Sequence, residues 1–222
     1  MDFDESPEEA AFRAEAGAWL DAHLDSPEAR EVAARPGEED AALVDRGRRW
    51  QKLLAEERWT GISWPTAYGG RGGTDAEAAI FAEESRNRSL WVGMFAVGIA
   101  MAGPTIITHG TDAQKERYLQ PMLRGDEVWC QLFSEPGAGS DLAGISCRAE
   151  RDGDEWVVNG QKVWTSGADY SDHGMLLART DFDAPKHAGI SWFAFKLDQP
   201  GVTIRPLREM TGRALFNEVF FD

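Results

Sequence analysis

The segment FSEPGAGSD, at residues 133–141, lies where the sequence changes from helical to strand-forming character, and it decides the fold. A strand runs into a glycine-rich loop that carries hydroxyl groups at both ends, from Ser134 and Ser140. Gly137 and Gly139 allow the backbone to approach a ligand, and successive N–H groups in such a loop can hold a pyrophosphate. A tight turn between two strands is the alternative interpretation of the same residues.

This loop does not match the nucleotide-binding fingerprints of alternating α/β folds. The third glycine of G-x-G-x-x-G is missing, and a strand rather than a helix is expected to follow. The P-loop pattern G-x-x-x-x-G-K-[ST] and the pattern G-x-S-x-G are also absent from the sequence. We therefore expect neither a Rossmann domain nor a P-loop domain.

Residues before the loop have helical periodicity. Capping boxes at Ser6, Thr74 and Thr111 predict three helix starts, and a further helix is expected from about Glu39, after a loop at Pro36-Gly37. A fifth helix is expected in the uncharged stretch at residues 91–108. It is too short and too interrupted by glycine and proline to span a membrane, so we predict a helix buried on all sides.

After Gly125 the hydrophobic period changes from 3.6 to 2. Asp152-Gly153 and Asn159-Gly160 are typical of hairpin turns and are predicted to separate short strands. We expect an α+β protein, with an N-terminal all-α helical domain at residues 1–125 and an antiparallel β-barrel or β-sandwich at residues 126–222. The strand candidates are residues 128–133, 146–150, 155–158, 162–165, 175–179, 190–197, 202–206 and 215–221.

A second informative segment is NGQKVWTSG, at residues 159–167, where a strand ends in an aromatic side chain and two hydroxyls. Trp164 can stack on a flat ligand while Ser166 offers that ligand a hydrogen bond. A core tryptophan and a strand-end serine are the alternative interpretation.

Composition excludes several function classes. The 222 residues carry a formal net charge of −15, which argues against binding to nucleic acid or to an anionic membrane. The cysteines Cys130 and Cys147 lack C-x-x-C spacing, and the start of the chain resembles no secretory signal, so we expect free thiols and a cytoplasmic protein. The four histidines lack metal-ligand spacing, and we predict no metal.

Taken together, these segments resemble the acyl-CoA dehydrogenase family. The two segments above match its middle domain, and residues 64–70, WPTAYGG, resemble its W-P-x-x-Y-G-G segment. Residues 110–118 resemble its G-[ST]-x-x-Q-K-x-x-[YF] helix start, and residues 216–222 resemble the last strands of the middle domain. The resemblance covers nearly the whole chain and implies a helical and a β domain, with the family's C-terminal four-helix domain missing.

The resemblance implies FAD as cofactor and assigns roles by position. Ser134 matches the residue at the pyrimidine end of the flavin, Trp164 the aromatic that covers one flavin face, and Ser166 the hydroxyl near N5. Gly139 and Ser140 match positions beside the pyrophosphate, where Ser140 also contacts the pantetheine arm of the substrate. The remaining expected cofactor-binding residues are Gln131, Leu132, Phe133 and Thr165.

The resemblance further implies α,β-dehydrogenation of an acyl-CoA thioester to the enoyl-CoA, as in fatty acid β-oxidation, with electron-transfer flavoprotein as partner and a homo- or heterotetramer as the assembly. The catalytic glutamate is expected in the C-terminal domain, so no carboxylate here is assigned as the base, and Glu135 is expected to be structural. We expect a fragment that is inactive alone. Two alternatives stay open: an acyl-CoA oxidase or flavin monooxygenase of the same superfamily, and a non-catalytic flavin-binding subunit of a hetero-oligomer.

Overall fold

The computed structural model describes residues 5–33, 41–90 and 92–222. The chain divides into two compact units, Met1–Asp126 and Glu127–Asp222, which we call the helical unit and the strand unit. Each unit has a hydrophobic core of its own.

The helical unit is built as the capping signals predict. In α1, α4 and α6 the side chains of Ser6, Thr74 and Thr111 accept a hydrogen bond from the amide of the third helical residue, whose side chain accepts one from the cap amide. The helices in the described part of the unit are α1 Pro7–His23, α2 Pro27–Ala33, α3 Ala41–Glu56, α4 Asp75–Asn87, α5 Gly103–His109 and α6 Asp112–Arg124. The expected loop at Pro36-Gly37 and the helix start near Glu39 lie outside the described residues.

Helix α2 was not predicted from the sequence. Its start, Ser26-Pro27, repeats the serine–proline start of α1, and the Ser26 hydroxyl accepts a hydrogen bond from the Ala29 amide at 3.1 Å. Serine followed by proline at the first helical position is a helix-start signal, so the missed helix had a recognisable sequence signature.

The prediction that the uncharged stretch is buried on all sides is wrong. The stretch forms a π-helical turn, Gly98–Ala102, that leads into α5, and Ala100, Pro104 and Thr108 are exposed. Lack of charge does not fix burial, because small apolar side chains cost little to expose. No helix in the described residues is long and apolar enough to cross a membrane.

The strand unit confirms the α+β class, but its sheet is mixed where antiparallel pairing was expected. Strand β4 pairs in parallel with β1 and β2 and antiparallel with β5, while β3 pairs antiparallel with β2 and β7. β6 also pairs antiparallel with β7, and hydrophobic side chains from several of these strands form the core. The strands are β1 Trp129–Leu132, β2 Arg148–Asp152, β3 Glu155–Ser166, β4 His173–Arg179, β5 Ile190–Lys196, β6 Val202–Leu207 and β7 Phe216–Phe221.

Only one of the two predicted hairpin turns exists. Gly153 lies in the turn between β2 and β3 with φ +61°, as expected, but Asn159-Gly160 lies inside the 12-residue strand β3. A side chain at Gly160 would place its Cβ 2.8 Å from the Cα of Cys147, and φ there is +148°. Close approach of two backbones, rather than a turn, therefore requires glycine at this position.

Candidate functional site

The two sequence segments that were expected to share a site lie side by side in the strand unit. The Val163 amide donates to the carbonyl of Ser134 at 2.9 Å, and Lys162 Nζ donates to the carbonyl of Phe133 at the same distance. The residues that follow β1 are therefore hydrogen-bonded to the C-terminal part of β3, which brings the start of the glycine-rich loop next to the segment that carries Trp164.

The glycine-rich loop is open on its outer side. The amides and carbonyls of Glu135 and Ala138 pair with each other at 2.8 and 3.1 Å, which closes a tight turn. A Cβ at Gly137 or Gly139 would meet nothing within 4 Å, and both residues are exposed. Internal crowding does not explain these glycines, whereas close approach of an external ligand to the backbone does.

Trp164 has a backbone conformation that is unusual for a tryptophan. Its φ is +61°, in the left-handed region, because β3 has an irregular register between Lys162 and Thr165. The side chain is 61% exposed and touches the ring of Phe216 edge-on, with 5.9 Å between centroids. A bulky residue held in this region at the cost of backbone strain marks a candidate binding site, and the exposed indole face is the group presented.

A fully buried ion pair lies at the base of these segments. Lys162 is 0% and Glu135 is 5% exposed, and Lys162 Nζ lies 2.8 Å from Glu135 Oε1. The Glu135 carboxylate also accepts from the Ser146 amide at 2.6 Å, the Ser146 hydroxyl at 2.8 Å and the Cys147 amide at 2.9 Å. The structural role expected for Glu135 agrees with these contacts.

Burial and hydrogen bonding act in opposite directions on this pair. Burial favours the neutral acid of Glu135, but the bonds from Lys162, Ser146 and Cys147 outweigh it and hold the pKa of Glu135 below its usual value. Burial lowers the pKa of Lys162, and the bond to Glu135 opposes that shift. Glu135 is therefore a carboxylate at neutral pH, and it is committed to its four donors rather than free to act as a base.

Comparison with known proteins identifies the family. The model described as the N-terminal domain of acyl-CoA dehydrogenase matches residues 6–126, and the model described as its middle domain matches residues 130–222. The chain belongs to the acyl-CoA dehydrogenase family.

Two curated relatives come from Mycobacterium tuberculosis (strain ATCC 25618 / H37Rv). The acyl-CoA dehydrogenase IpdE1 is 45% identical over 216 residues, 95% of this chain and 55% of the relative. The acyl-CoA dehydrogenase FadE34 is 48% identical over 193 residues, 86% of this chain and 25% of the relative. The chain thus spans about half the length, or less, of these acyl-CoA dehydrogenases.

Solved acyl-CoA dehydrogenase structures show the same fold. The Tcur3481-Tcur3483 steroid ACAD superposes with a TM-score of 0.82 at 36% identity, over 100% of this chain and 56% of that one. The ChsE4-ChsE5 complex from Mycobacterium tuberculosis gives 0.81 at 32% identity, over 100% and 55%.

Most of the residues that the family resemblance assigns to FAD lie where a ligand can reach them. Gly139, Ser140, Trp164 and Ser166 are exposed. Gln131, Phe133 and Ser134 are partly buried at the same strand end. An exposed indole beside an open loop of backbone N–H groups fits the flat ring and pyrophosphate of FAD.

Leu132 and Thr165, also expected at the cofactor site, are buried. Leu132 belongs to the core of the strand unit, so only its backbone can face a ligand. The carbonyl of Thr165 accepts from the Asn217 amide group at 3.3 Å, and its hydroxyl has no hydrogen-bond partner among the described residues. Alternation along a strand explains both positions, because each lies between two neighbours that are more exposed.

Lys162 is the site residue that sequence reasoning overlooked. It lies in the segment NGQKVWTSG, where neither the motif nor the family resemblance assigns it a role. Alternation beside the buried Val163 predicts an exposed lysine, so no local signal indicated a buried cation, and its carboxylate partner, Glu135, lies in the other segment.

The helical unit contains a cavity of about 480 Å³. Its lining is mainly aromatic and aliphatic, and it includes the indoles of Trp50, Trp59 and Trp64. Small side chains from two helical segments line it as well, among them Ala78 and Ala82 of α4 and Ala96 and Ala100 near the π-helical turn. Such a volume is in the range of small-molecule pockets and well beyond ordinary packing voids.

The two cysteines and the metal-binding types of side chain offer no second reactive centre in the described ranges. Cys130 and Cys147 are both buried, and burial raises the pKa of Cys130 to about 12 and that of Cys147 to about 11, so both remain thiols. Within residues 5–33, 41–90 and 92–222, no group of three or more His, Cys, Asp or Glu side chains could hold a metal ion.

Proposed function

We propose that this chain provides the flavin-binding part of an FAD-dependent acyl-CoA dehydrogenase, in which FAD accepts hydride as the acyl thioester is converted to its α,β-unsaturated form. The observation that carries the proposal is the strained, exposed Trp164 beside the open glycine loop. Membership of the family supports the reaction class. The base that removes the α-proton is expected outside this chain, which we therefore propose to be inactive by itself.

Each residue of the site has a distinct part in this proposal. The indole of Trp164 would cover one flavin face, the hydroxyl of Ser134 would hydrogen-bond the pyrimidine end, and that of Ser166 would lie near the reactive N5. A hydroxyl both donates and accepts, so it can serve oxidised and reduced flavin alike. The backbone amides of the loop that ends at Gly139 and Ser140 would hold the pyrophosphate, which an acidic protein must bind through such local donors.

Titration with FAD tests the cofactor assignment. Trp164→Ala combined with Ser166→Ala should weaken FAD binding about tenfold or more, because a stacked ring and a hydrogen bond are lost together. The matched control is Trp156→Ala, since Trp156 is 43% exposed on the same strand but away from the site. Equal FAD affinity in both variants would refute the assignment.

We also propose that the cavity of the helical unit receives the apolar end of the acyl group. Its size and its aromatic and aliphatic lining suit a bulky hydrocarbon. Structural relatives that include a steroid ACAD support a ring-bearing acyl group over a short chain.

Cavity filling tests this substrate assignment. Ala82→Phe on α4 should weaken binding of decahydronaphthalene-2-carboxylate about tenfold, because the larger side chain occupies part of the cavity. Binding can be measured by tryptophan fluorescence, since three indoles line the cavity. Ala79→Phe is the matched control, because Ala79 is exposed on the same helix and does not line the cavity. Equal loss in both variants, or no loss in either, would refute the assignment.

The two alternatives remain separable by experiment. In the whole protein, reduced flavin that reoxidises rapidly in air with release of peroxide would favour an oxidase or monooxygenase over a dehydrogenase that delivers electrons to electron-transfer flavoprotein. Two-component structural relatives, the Tcur3481-Tcur3483 ACAD and the ChsE4-ChsE5 complex, favour a hetero-oligomer in which a second subunit completes the site. Co-purification of a second acyl-CoA dehydrogenase-type chain would support that assembly, and a stable homotetramer would exclude it.

A further inference from the structure

We propose that Glu135 and Lys162 are positioning residues for the flavin site: they fix the register of residues 133–135 against residues 162–163, and so hold Ser134 beside Trp164 and Ser166. This inference deepens the proposed function and rests on it. Neither residue touches the exposed surface, so both act through their neighbours.

Three consecutive residues of one segment are held by two consecutive residues of the other. Lys162 donates to the Phe133 carbonyl and to the Glu135 carboxylate, and between them the Val163 amide donates to the Ser134 carbonyl. Shifting the register by one residue would break all three bonds together. The next residue along β3 is Trp164, whose left-handed backbone follows directly from this anchored point.

Glu135 also ties the start of the glycine-rich loop to the residues just before β2. Its carboxylate accepts from both the amide and the hydroxyl of Ser146 and from the amide of Cys147, while its own backbone closes the tight turn with Ala138. One side chain therefore joins both ends of the connection between β1 and β2. A Cβ at Gly137 or Gly139 would have no neighbours, so packing within the loop does not restrain these residues. The hydrogen bonds of Glu135 at the base of the loop therefore have to restrain them.

Net stability is a poor explanation for this pair. A buried ion pair costs much desolvation, and apolar residues of similar volume are often as stable or more so. What apolar side chains cannot supply is direction, since the lysine bonds point at two defined oxygen atoms. The geometry thus points to a role of this ion pair in positioning the residues of the site.

An exposed ion pair at the same loop provides the control. Lys186 Nζ lies 2.9 Å from both carboxylate oxygens of Asp141, next to Ser140, but the two side chains are 53% and 64% exposed. Solvent competes for both partners, so this pair has little hold on the backbone. It matches the buried pair in charge and loop while differing in burial.

The experiment compares FAD affinity with stability in Lys162→Met, in the double variant Glu135→Gln with Lys162→Met, and in the control Lys186→Met. Lys162→Met should lose both stability and FAD affinity, because it leaves a buried carboxylate without its cation. The double variant removes that unpaired charge, so its melting temperature should recover most of the loss. Its FAD dissociation constant should stay about tenfold above that of the unmodified chain, since two directional bonds are still missing.

Two results would overturn the inference. One is recovery of FAD affinity together with melting temperature in the double variant, which would mean that the pair acts only through stability. The other is an equal loss of affinity in Lys186→Met. If the unmodified chain itself binds no FAD, the proposed function fails instead, so the two failures are distinct.

Hydrogen exchange tests the register without FAD and remains informative if the double variant is unstable. In Glu135→Asp, which keeps the charge but shortens the side chain, exchange at the Ser146, Cys147 and Val163 amides should accelerate about tenfold, as expected when a well-formed bond is lost. The amide of Leu176 in β4 should keep its rate. Equal acceleration at all four amides, or none at any, would contradict a local positioning role.

Discussion

The two units place charge in opposite ways. In the helical unit, Arg13 of α1 pairs with Glu84 of α4, and Arg88 at the end of α4 pairs with Asp21 of α1, while the interior holds aromatic rings and a cavity. In the strand unit, the ion pair of Lys162 and Glu135 lies in the interior, and the aromatic ring of Trp164 is exposed to solvent.

This inversion separates two ways of building a site. An apolar pocket needs volume but does not need accurately placed side chains, so small residues opposite aromatic ones are sufficient to form it. A site for a polar cofactor needs atoms placed within fractions of an ångström, which requires directional bonds under the binding surface. Ion pairs of similar length should therefore differ in their effect on stability and on ligand binding between the two units. Substitutions in matched pairs can measure that difference.

The largest expected difference is between two lost cations. Lys162→Met should lower the free energy of unfolding by about 3–5 kcal/mol, because it leaves Glu135 buried and uncompensated. Arg88→Met should cost about 1 kcal/mol or less, because Arg13 still pairs with Glu84 and because Asp21, the other partner of Arg88, is 58% exposed. Urea unfolding at pH 7, followed separately for helix and sheet signals, measures both, and similar costs would contradict the distinction.

A smaller difference is expected between two glycines. A Cβ at Gly103 would lie 1.9 Å from Cζ2 of Trp64, so Gly103→Ala should destabilise the helical unit by about 1–3 kcal/mol through overpacking. Gly137→Ala in the strand unit meets no atom within 4 Å and should leave the melting temperature unchanged while weakening FAD binding. A stability loss at Gly137 would show that the loop is packed internally rather than open.

The smallest effect concerns acid. Because the folded pKa of Glu135 is below its usual value, its stabilising contribution is complete above about pH 4.3 and is lost as pH falls through the folded pKa. Asp21 is 58% exposed, and its pKa is lowered mainly by Arg88, so it has the same sign. Glu135→Gln should flatten the acid dependence in 1 M NaCl as well as in dilute buffer, whereas Asp21→Asn should flatten it only in dilute buffer, where charges are unscreened. Equal salt sensitivity would count against burial as the cause.

Local signals in the sequence predicted most elements of the fold. Capping boxes such as that at Thr74 depend on four neighbouring residues, and alternation along the first part of β6 depends on one strand, so both are readable without tertiary information. The dipeptide Asn159-Gly160 led to a wrong turn prediction, because its glycine is required by the close approach of the Cys147 backbone rather than by a turn. Parallel pairing of β1 with β4 could not be predicted from local sequence either, because it depends on the order of the strands in the sheet.

For the candidate site, the resemblance supplied the residues and the structure supplied their arrangement. Trp164 and the glycine loop were recognised from motifs, but a motif does not state which side chains in it face inward. Burial of Thr165 and the pairing of Lys162 with Glu135 depend on strand register and on a contact across 27 positions of the chain. These are long-range properties that no short window of sequence contains.

The left-handed backbone of Trp164 sets stability and binding against each other. Glycine adopts this conformation freely, whereas a bulky side chain there costs about 1 kcal/mol or more. Trp164→Gly should therefore raise the melting temperature of the chain while removing the ring proposed to cover the flavin. Selection for thermal resistance alone would tend to discard this tryptophan, so its presence is better explained by a demand other than folding.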